Sequence, residues 1–186
     1  MNTTQDVQGM SFVDFDKLLY RTVFSVAISG FLTIIAAELS HWSASITGVV
    51  LWLVITSCSS WAQDSIVNLV VPVRFSRRLL YLLVSSLVGW IVSLLLVYIL
   101  IQSTDVSIDS ANLGSAVWIG FIAGAIIGLF PGICMSIAYG WLIRPGDNTK
   151  RLFMSNVIGW SLGMGLACAS ILLLFTIIVS NLISIF

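Results

Sequence analysis

Long apolar stretches separated by short polar ones dominate this chain. Between Arg21 and Glu38 lie 16 uncharged residues, and between Glu38 and Asp64 lie 25. Three longer uncharged stretches, of 26, 34 and 35 residues, are 79–104, 110–143 and 152–186. A charge at the bilayer centre costs at least about 2.5–3.5 kcal/mol, and a helix needs roughly 20 apolar residues to cross the hydrocarbon core. The pattern predicts five transmembrane helices, near 18–37, 44–63, 79–101, 113–143 and 152–180.

The fourth predicted span is longer than a straight crossing requires. As one helix, residues 113–143 would extend about 46 Å, against roughly 30 Å of hydrocarbon. Pro131-Gly132 lies inside this span, and a proline removes one backbone hydrogen bond and bends a helix. The sequence predicts a bend at Pro131 and leaves open whether the helix is kinked or broken there.

The charged residues predict an orientation. With five crossings, all eight cations fall on one side of the membrane: Lys17, Arg21, Arg74, Arg77, Arg78, Arg144, Lys150 and Arg151. The loops of the other side carry only Glu38, His41, Asp105 and Asp109. The positive-inside rule then places the N-terminus inside and the C-terminus outside. We expect an all-α, polytopic membrane bundle, with an N-terminal interfacial segment at 1–17 and a single transmembrane domain at 18–186.

Composition narrows the range of functions. The chain is 59% hydrophobic and 9% charged, against about 25% charged in an ordinary soluble domain. This excludes a water-soluble domain and a nucleic-acid binder. The single His excludes bis-His haem ligation within one chain, and the sequence has no metal-ligand cluster, nucleophile–base pairing or phosphate-binding loop. We therefore expect no enzymatic activity, no metal and no cofactor.

A stripe of small residues recurs at every fourth position of the fourth span. Its members are Ala116, Gly120, Gly124, Gly128, Gly132, Ser136 and Gly140, and the fifth span adds Gly159, Gly163 and Ala167. In lipid, such stripes allow two helix backbones to approach closely. The stripe predicts tight helix packing. Three arrangements stay open: packing within one subunit, a zipper between subunits, or a gap for a flat ligand such as a pigment, quinone or sterol.

Only a few polar residues could do chemistry. Glu38 and His41 could form an ion or proton site at the outer mouth, and Asp64 could do so at the inner end of the second span. The alternative is that all three are interfacial residues. Arg74, Arg77 and Arg78 are expected to contact anionic lipid of the inner leaflet.

These features favour a non-enzymatic membrane protein that acts as a small structural or accessory subunit through glycine-zipper packing. The alternative is a small channel or transporter component with a path near Asp64 and Pro131-Gly132. A pigment- or lipid-binding subunit is a third reading. The expected partners are the lipid bilayer and a homo-oligomer or larger membrane complex. The expected location is a bacterial-type inner membrane or an internal membrane.

Overall fold

The protein is described by a computed structural model over residues 12–67, 74–103, 113–142 and 147–183. These ranges form five helices: α1 (Phe12–Leu39), α2 (Ala44–Val67), α3 (Phe75–Ser103), α4 (Leu113–Leu142) and α5 (Asp147–Ile183). Each helix contains a stretch of 23 to 30 residues that is long and apolar enough to cross a membrane. The prediction of five long apolar helices is confirmed. The helices α1, α2, α3 and α5 extend beyond the predicted spans because helical structure continues into their polar flanks, whereas α4 matches its predicted span.

Some predicted features lie outside the described residues. They include residues 1–11 of the interfacial segment, the loop acids Asp105 and Asp109, and the loop cation Arg144. Residues 12–17 are the start of α1.

The five helices pack as a closed ring. Each helix contacts its neighbours in the chain, and α5 also packs against α1. Over the described ranges no other pair of helices is in backbone contact. The most extensive interface is that between α4 and α5. Because the number of helices is odd, α1 and α5 run parallel, whereas every other adjacent pair is antiparallel.

The interior of the ring is filled by side chains. Trp160, Leu18, Ile55, Leu82 and Met135 are among the largest that are fully buried. The outward faces are apolar as well, as on α3, where Leu80, Val84, Leu87, Ile91 and Leu94 are all exposed. A protein that is apolar on both its inner and outer surfaces has the pattern expected in lipid.

The connection between α1 and α2 has defined caps. His41 adopts a left-handed conformation (φ 52°), and the amide of Trp42 donates to the carbonyl of Ala37 at 3.0 Å. The amide of His41 donates to the carbonyl of Glu38 at 3.3 Å. These two bonds form a Schellman motif that ends α1.

The helix α4 is continuous through Pro131. A proline at position 131 removes the amide hydrogen that would bond to the carbonyl of Ile127, four residues earlier. In the structure the hydroxyl of Ser93 on α3 lies 2.9 Å from that carbonyl oxygen. A Cβ on Gly89 would lie 2.6 Å from Pro131 Cα. The glycine thus lets α3 approach the proline closely, and the serine supplies a replacement donor.

Candidate functional site

Polar side chains from all five helices meet near one end of the bundle. This polar cluster consists of Thr22 (α1), Gln63 and Asp64 (α2), Arg78 (α3), Tyr139 (α4) and Asn156 (α5). It lies one to three turns from the cation-rich end, which we define by the starts of α1, α3 and α5 and the ends of α2 and α4. All members except Asp64 are at most 1% exposed. Polar groups at such depth need partners, because unpaired ones cost several kcal/mol in an apolar medium.

Gln63 is the hub of the polar cluster. Its amide nitrogen donates to Thr22 Oγ1 at 2.7 Å and to Asn156 Oδ1 at 2.8 Å. Its amide oxygen accepts from the Tyr139 hydroxyl at 3.2 Å. Within the described residues, the backbone of α2 contacts neither α4 nor α5. The Gln63 side chain therefore reaches across the centre of the ring and joins α2 to two helices that its backbone does not contact.

Thr22 continues the hydrogen-bond chain toward α1. Its hydroxyl accepts from Gln63 and donates to the carbonyl of Leu18 at 2.8 Å. Both hydrogen-bonding roles of the hydroxyl are thus used. The amide nitrogen of Asn156, in contrast, has no hydrogen-bond acceptor among the described residues, although the side chain is fully buried.

Asp64 and Arg78 form an ion pair between α2 and α3, beside the hub. Arg78 is fully buried, and its guanidinium carbon lies 5.6 Å from the centre of the Phe75 ring. A buried guanidinium requires a counter-charge, since the desolvation penalty is several kcal/mol per ion. The pair thus fixes the start of α3 against the end of α2.

The buried position of Arg78 corrects the prediction that this residue contacts lipid. The sequence groups Arg78 with Arg74 and Arg77 as lipid-contacting residues, but only Arg74 and Arg77 are exposed. Arg78 lies inside the bundle because Asp64 neutralises it there. Asp64, predicted as a possible ion or proton site, is that counter-charge, with 29% of its side chain exposed.

Further polar links join neighbouring helices outside the polar cluster. The indole of Trp52 donates to Ser86 Oγ at 3.0 Å, and Thr56 Oγ1 lies 3.2 Å from the same atom. These contacts join α2 to α3. The hydroxyl of Ser136 on α4 lies 3.2 Å from the carbonyl oxygen of Phe153 on α5. Hydroxyl groups thus link α4 to α5 at the depth of the polar cluster, and hydroxyl and indole groups link α2 to α3 further along the bundle.

The glycines of the α4 stripe lie against α5 of the same chain. A Cβ on Gly124 would lie 2.4 Å from the carbonyl oxygen of Met164, and one on Gly128 would lie 2.2 Å from that of Trp160. A Cβ on Gly120 would meet the side chain of Leu172, and one on Gly132 would meet the carbonyl oxygen of Asn156. Ser136 is buried, whereas a Cβ on Gly140 would find only Thr149, at 3.9 Å. The side chain of Ala116 lies outside the described part.

A second small-residue stripe, on α5, faces α1. A Cβ on Gly159 would lie 2.7 Å from Thr22 Cγ2, and one on Gly163 would lie 2.7 Å from Val26 Cβ. Ala167 is 1% exposed, and its Cβ lies 3.3 Å from where a Cβ on Gly30 would stand. Since this stripe places Thr22 directly against α5, it also sets the position of one member of the polar cluster.

The predicted pair at the outer mouth lies apart from the polar cluster. Glu38 and His41 are both exposed, at the end of α1 and in the turn after it. They belong to the Schellman motif described above, and their backbone groups bond to each other.

Sequence reasoning missed three members of the polar cluster: Thr22, Tyr139 and Asn156. A usable signal was present, because amide side chains are rare inside apolar spans and the chain places Gln63 and Asn156 near the same end. The described residues contain no group of three or more His, Cys, Asp or Glu that could hold a metal ion.

Comparison with known proteins gives no match to a protein-family model, to a curated protein or to a solved structure.

Proposed function

We propose that this chain is a non-enzymatic integral membrane protein that acts as a small structural or accessory subunit. The observation that carries the proposal is the Gln63 hub, which joins α1, α4 and α5 through one side chain. Most polar groups of the cluster are occupied in holding helices together, and the centre is filled. Such an arrangement suits a rigid body that offers its outer faces to partners.

Aromatic side chains support membrane insertion. Tyr20, Trp61, Tyr81 and Trp141 are exposed near the cation-rich end, and Trp42, Tyr98 and Trp118 are exposed near the opposite end. Tryptophan and tyrosine concentrate at the two interfaces of a membrane protein. All seven described cations lie at or near the cation-rich end. The proposed orientation therefore has this end and the N-terminus inside, in a bacterial-type inner membrane or an internal membrane.

Two grooves on the outer surface support lateral association with partner subunits or with further copies of the chain. One, of about 510 Å³, lies between α3 and α4, and the other, of about 490 Å³, lies between α1 and α2. Their linings are mostly apolar, which suits helix packing within a bilayer.

Native mass spectrometry after gentle extraction tests the subunit role. We expect a particle whose mass exceeds that of one 20.2 kDa chain by more than bound lipid. Gln63→Leu should reduce this assembly because it loosens the body, and Gly48→Ala should not, because nothing lies within 4 Å of a Cβ at Gly48. The mass of a single chain, both in detergent and in lipid nanodiscs, would contradict the proposed subunit role.

Labelling of single cysteines from each side tests the orientation. Arg77→Cys and Lys150→Cys should react with an impermeant reagent from the same side, and Glu38→Cys from the other. The unsubstituted protein gives the background of Cys58, Cys134 and Cys168, which lie within the helices. Labelling of Arg77→Cys and Lys150→Cys from opposite sides would contradict five crossings.

A channel or transporter component is the second candidate. The observation in its favour is an ionisable pair, the buried Arg78 and the partly exposed Asp64, in the polar cluster that also contains Asn156, since intramembrane ionisable residues often mark ion pathways. Ion flux into liposomes that Asp64→Asn abolishes would favour this candidate. The absence of flux under any imposed gradient would exclude it.

A further inference from the structure

A cleft separate from the polar cluster lies between α1 and α5, at the cation-rich end. Its volume is about 290 Å³, and it is lined by Phe15, Lys150, Arg151, Met154 and Ile158. Phe15 and Thr149 begin the apolar stretches of their helices. In the proposed orientation, the mouth of the cleft therefore lies at the inner headgroup region.

Two cations stand at the mouth of the cleft. Lys150 is exposed, and Arg151 is partly buried. The Nη1 atom of Arg151 is enclosed and has no hydrogen-bond acceptor among the described residues. An enclosed guanidinium donor favours a charged oxygen acceptor, and a phosphate can accept two parallel N–H bonds from arginine.

The deeper half of the cleft is apolar. Met154 and Ile158 follow Lys150 at intervals of four residues, so the three lie on one face of α5 and point progressively deeper into the bilayer. Phe15 forms the facing wall on α1. The cleft thus has two positive charges at the headgroup level and a hydrocarbon lining below them.

We propose that this cleft binds one anionic phospholipid, with its phosphate on Lys150 and Arg151 and an acyl chain along Met154 and Ile158. The inference rests on the membrane insertion proposed above. Charge complementarity selects an anionic over a zwitterionic headgroup. The apolar half of the cleft requires a ligand that has an acyl chain as well as a phosphate.

Native mass spectrometry with added phosphatidylglycerol or phosphatidylcholine tests the site. We expect one retained phosphatidylglycerol per chain and weaker retention of phosphatidylcholine. The double variant Lys150→Gln/Arg151→Gln should weaken phosphatidylglycerol binding by roughly 25-fold, since each cation near an anionic membrane surface contributes about fivefold. The matched control is Arg74→Gln/Arg77→Gln, which removes the same charge from exposed positions at the same end.

A second pair of variants tests the apolar half without a change of charge. Met154→Trp fills the cleft and should also reduce retention of phosphatidylglycerol. Leu162→Trp, an exposed position two turns further along α5 and outside the cleft lining, should leave retention unchanged. Thermal unfolding of each variant separates loss of the site from loss of the fold.

Three results would overturn the proposal. One is equal weakening by the Arg74/Arg77 control, which would indicate general surface charge. Another is full retention in Met154→Trp, and the third is competition by inorganic phosphate as effective as that by the lipid. The labelling experiment reports on insertion independently, so failure of the lipid site with correct labelling leaves the proposed function standing.

Discussion

The hydroxyl of Ser93 on α3 lies 2.9 Å from the carbonyl oxygen of Ile127 on α4, which is the carbonyl that Pro131 leaves without its helical donor. The same hydroxyl also lies 2.9 Å from the carbonyl oxygen of Gly89 in its own helix. A defect in one helix is thus compensated by its neighbour. Side chains of neighbouring helices are among the groups that make proline tolerable in membrane spans.

This relationship predicts an energetic coupling between Ser93 and Pro131. Ser93→Ala should lower the free energy of unfolding by about 1 kcal/mol, as for other interhelical hydrogen bonds in membranes. In a Pro131→Ala background the cost should fall, because the restored amide donates to Ile127. The double-mutant cycle is measured by unfolding four proteins in mixed micelles: the unsubstituted chain, the two single variants and the double variant. Ser85→Ala is the control, since among the described residues Ser85 bonds only to Leu82 of its own helix. Equal costs of Ser93→Ala in both backgrounds would refute the coupling.

Loss of the hub should weaken several helix contacts at once. Gln63→Leu removes the hydrogen bonds that Gln63 makes with Thr22, Tyr139 and Asn156, and we expect a loss of roughly 2 kcal/mol of unfolding free energy from these three interhelical bonds. Tyr139→Phe alone should cost less, and it should cost almost nothing more in the Gln63→Leu background. Additive losses measured by the same unfolding assay would show that the two side chains act independently.

The glycines differ in what a methyl group would meet. Gly128→Ala places a Cβ 2.2 Å from the Trp160 carbonyl oxygen, and we expect destabilisation by about 1–3 kcal/mol from overpacking. Gly48→Ala meets nothing within 4 Å and should stabilise α2 by up to about 1 kcal/mol through helix propensity. Thermal unfolding of both variants checks the opposite signs, and a shared sign would count against the packing described for α4 and α5.

The ion pair between Asp64 and Arg78 predicts that replacing both residues costs less stability than replacing Asp64 alone. Asp64→Asn leaves the buried Arg78 without its counter-charge and should destabilise the protein, by less than the roughly 3–5 kcal/mol of a fully enclosed pair because Asp64 is partly exposed. Replacing both, as Asp64→Asn/Arg78→Met, should recover part of the loss. Arg77→Met, at an exposed position, should change stability little. A double variant less stable than Asp64→Asn would contradict the pairing.

Much of the architecture follows from the sequence, because charge spacing alone separates five apolar helices. The partner of each helix does not follow from that spacing. The Gly124 and Gly128 stripe predicts close packing, but only the ring order shows that α5 is what it packs against. Pro131 is similar: the lost hydrogen bond is readable from the sequence, whereas the compensating Ser93 is 38 positions earlier in the chain.

In the polar cluster, too, some features can be read from the sequence and others depend on how the helices pack. Gln63 and Asn156 are visible as amides in apolar spans, so their depth is readable from the sequence. Their hydrogen bond depends on two helices that meet only through side chains at the centre of the ring. The sequence alone likewise places Arg78 with the surface cations, because its pairing with Asp64 depends on how α3 starts against α2.

Closure of the ring by α5 has a consequence for biosynthesis. Ribosomes deliver helices in order, and α1 receives its second neighbour only when the last helix emerges. Until then Thr22 and Val26 lack the contacts that they make with Gly159 and Gly163 in the closed ring. A nascent chain halted before α5 therefore leaves α1 and α4 without the helix that joins them.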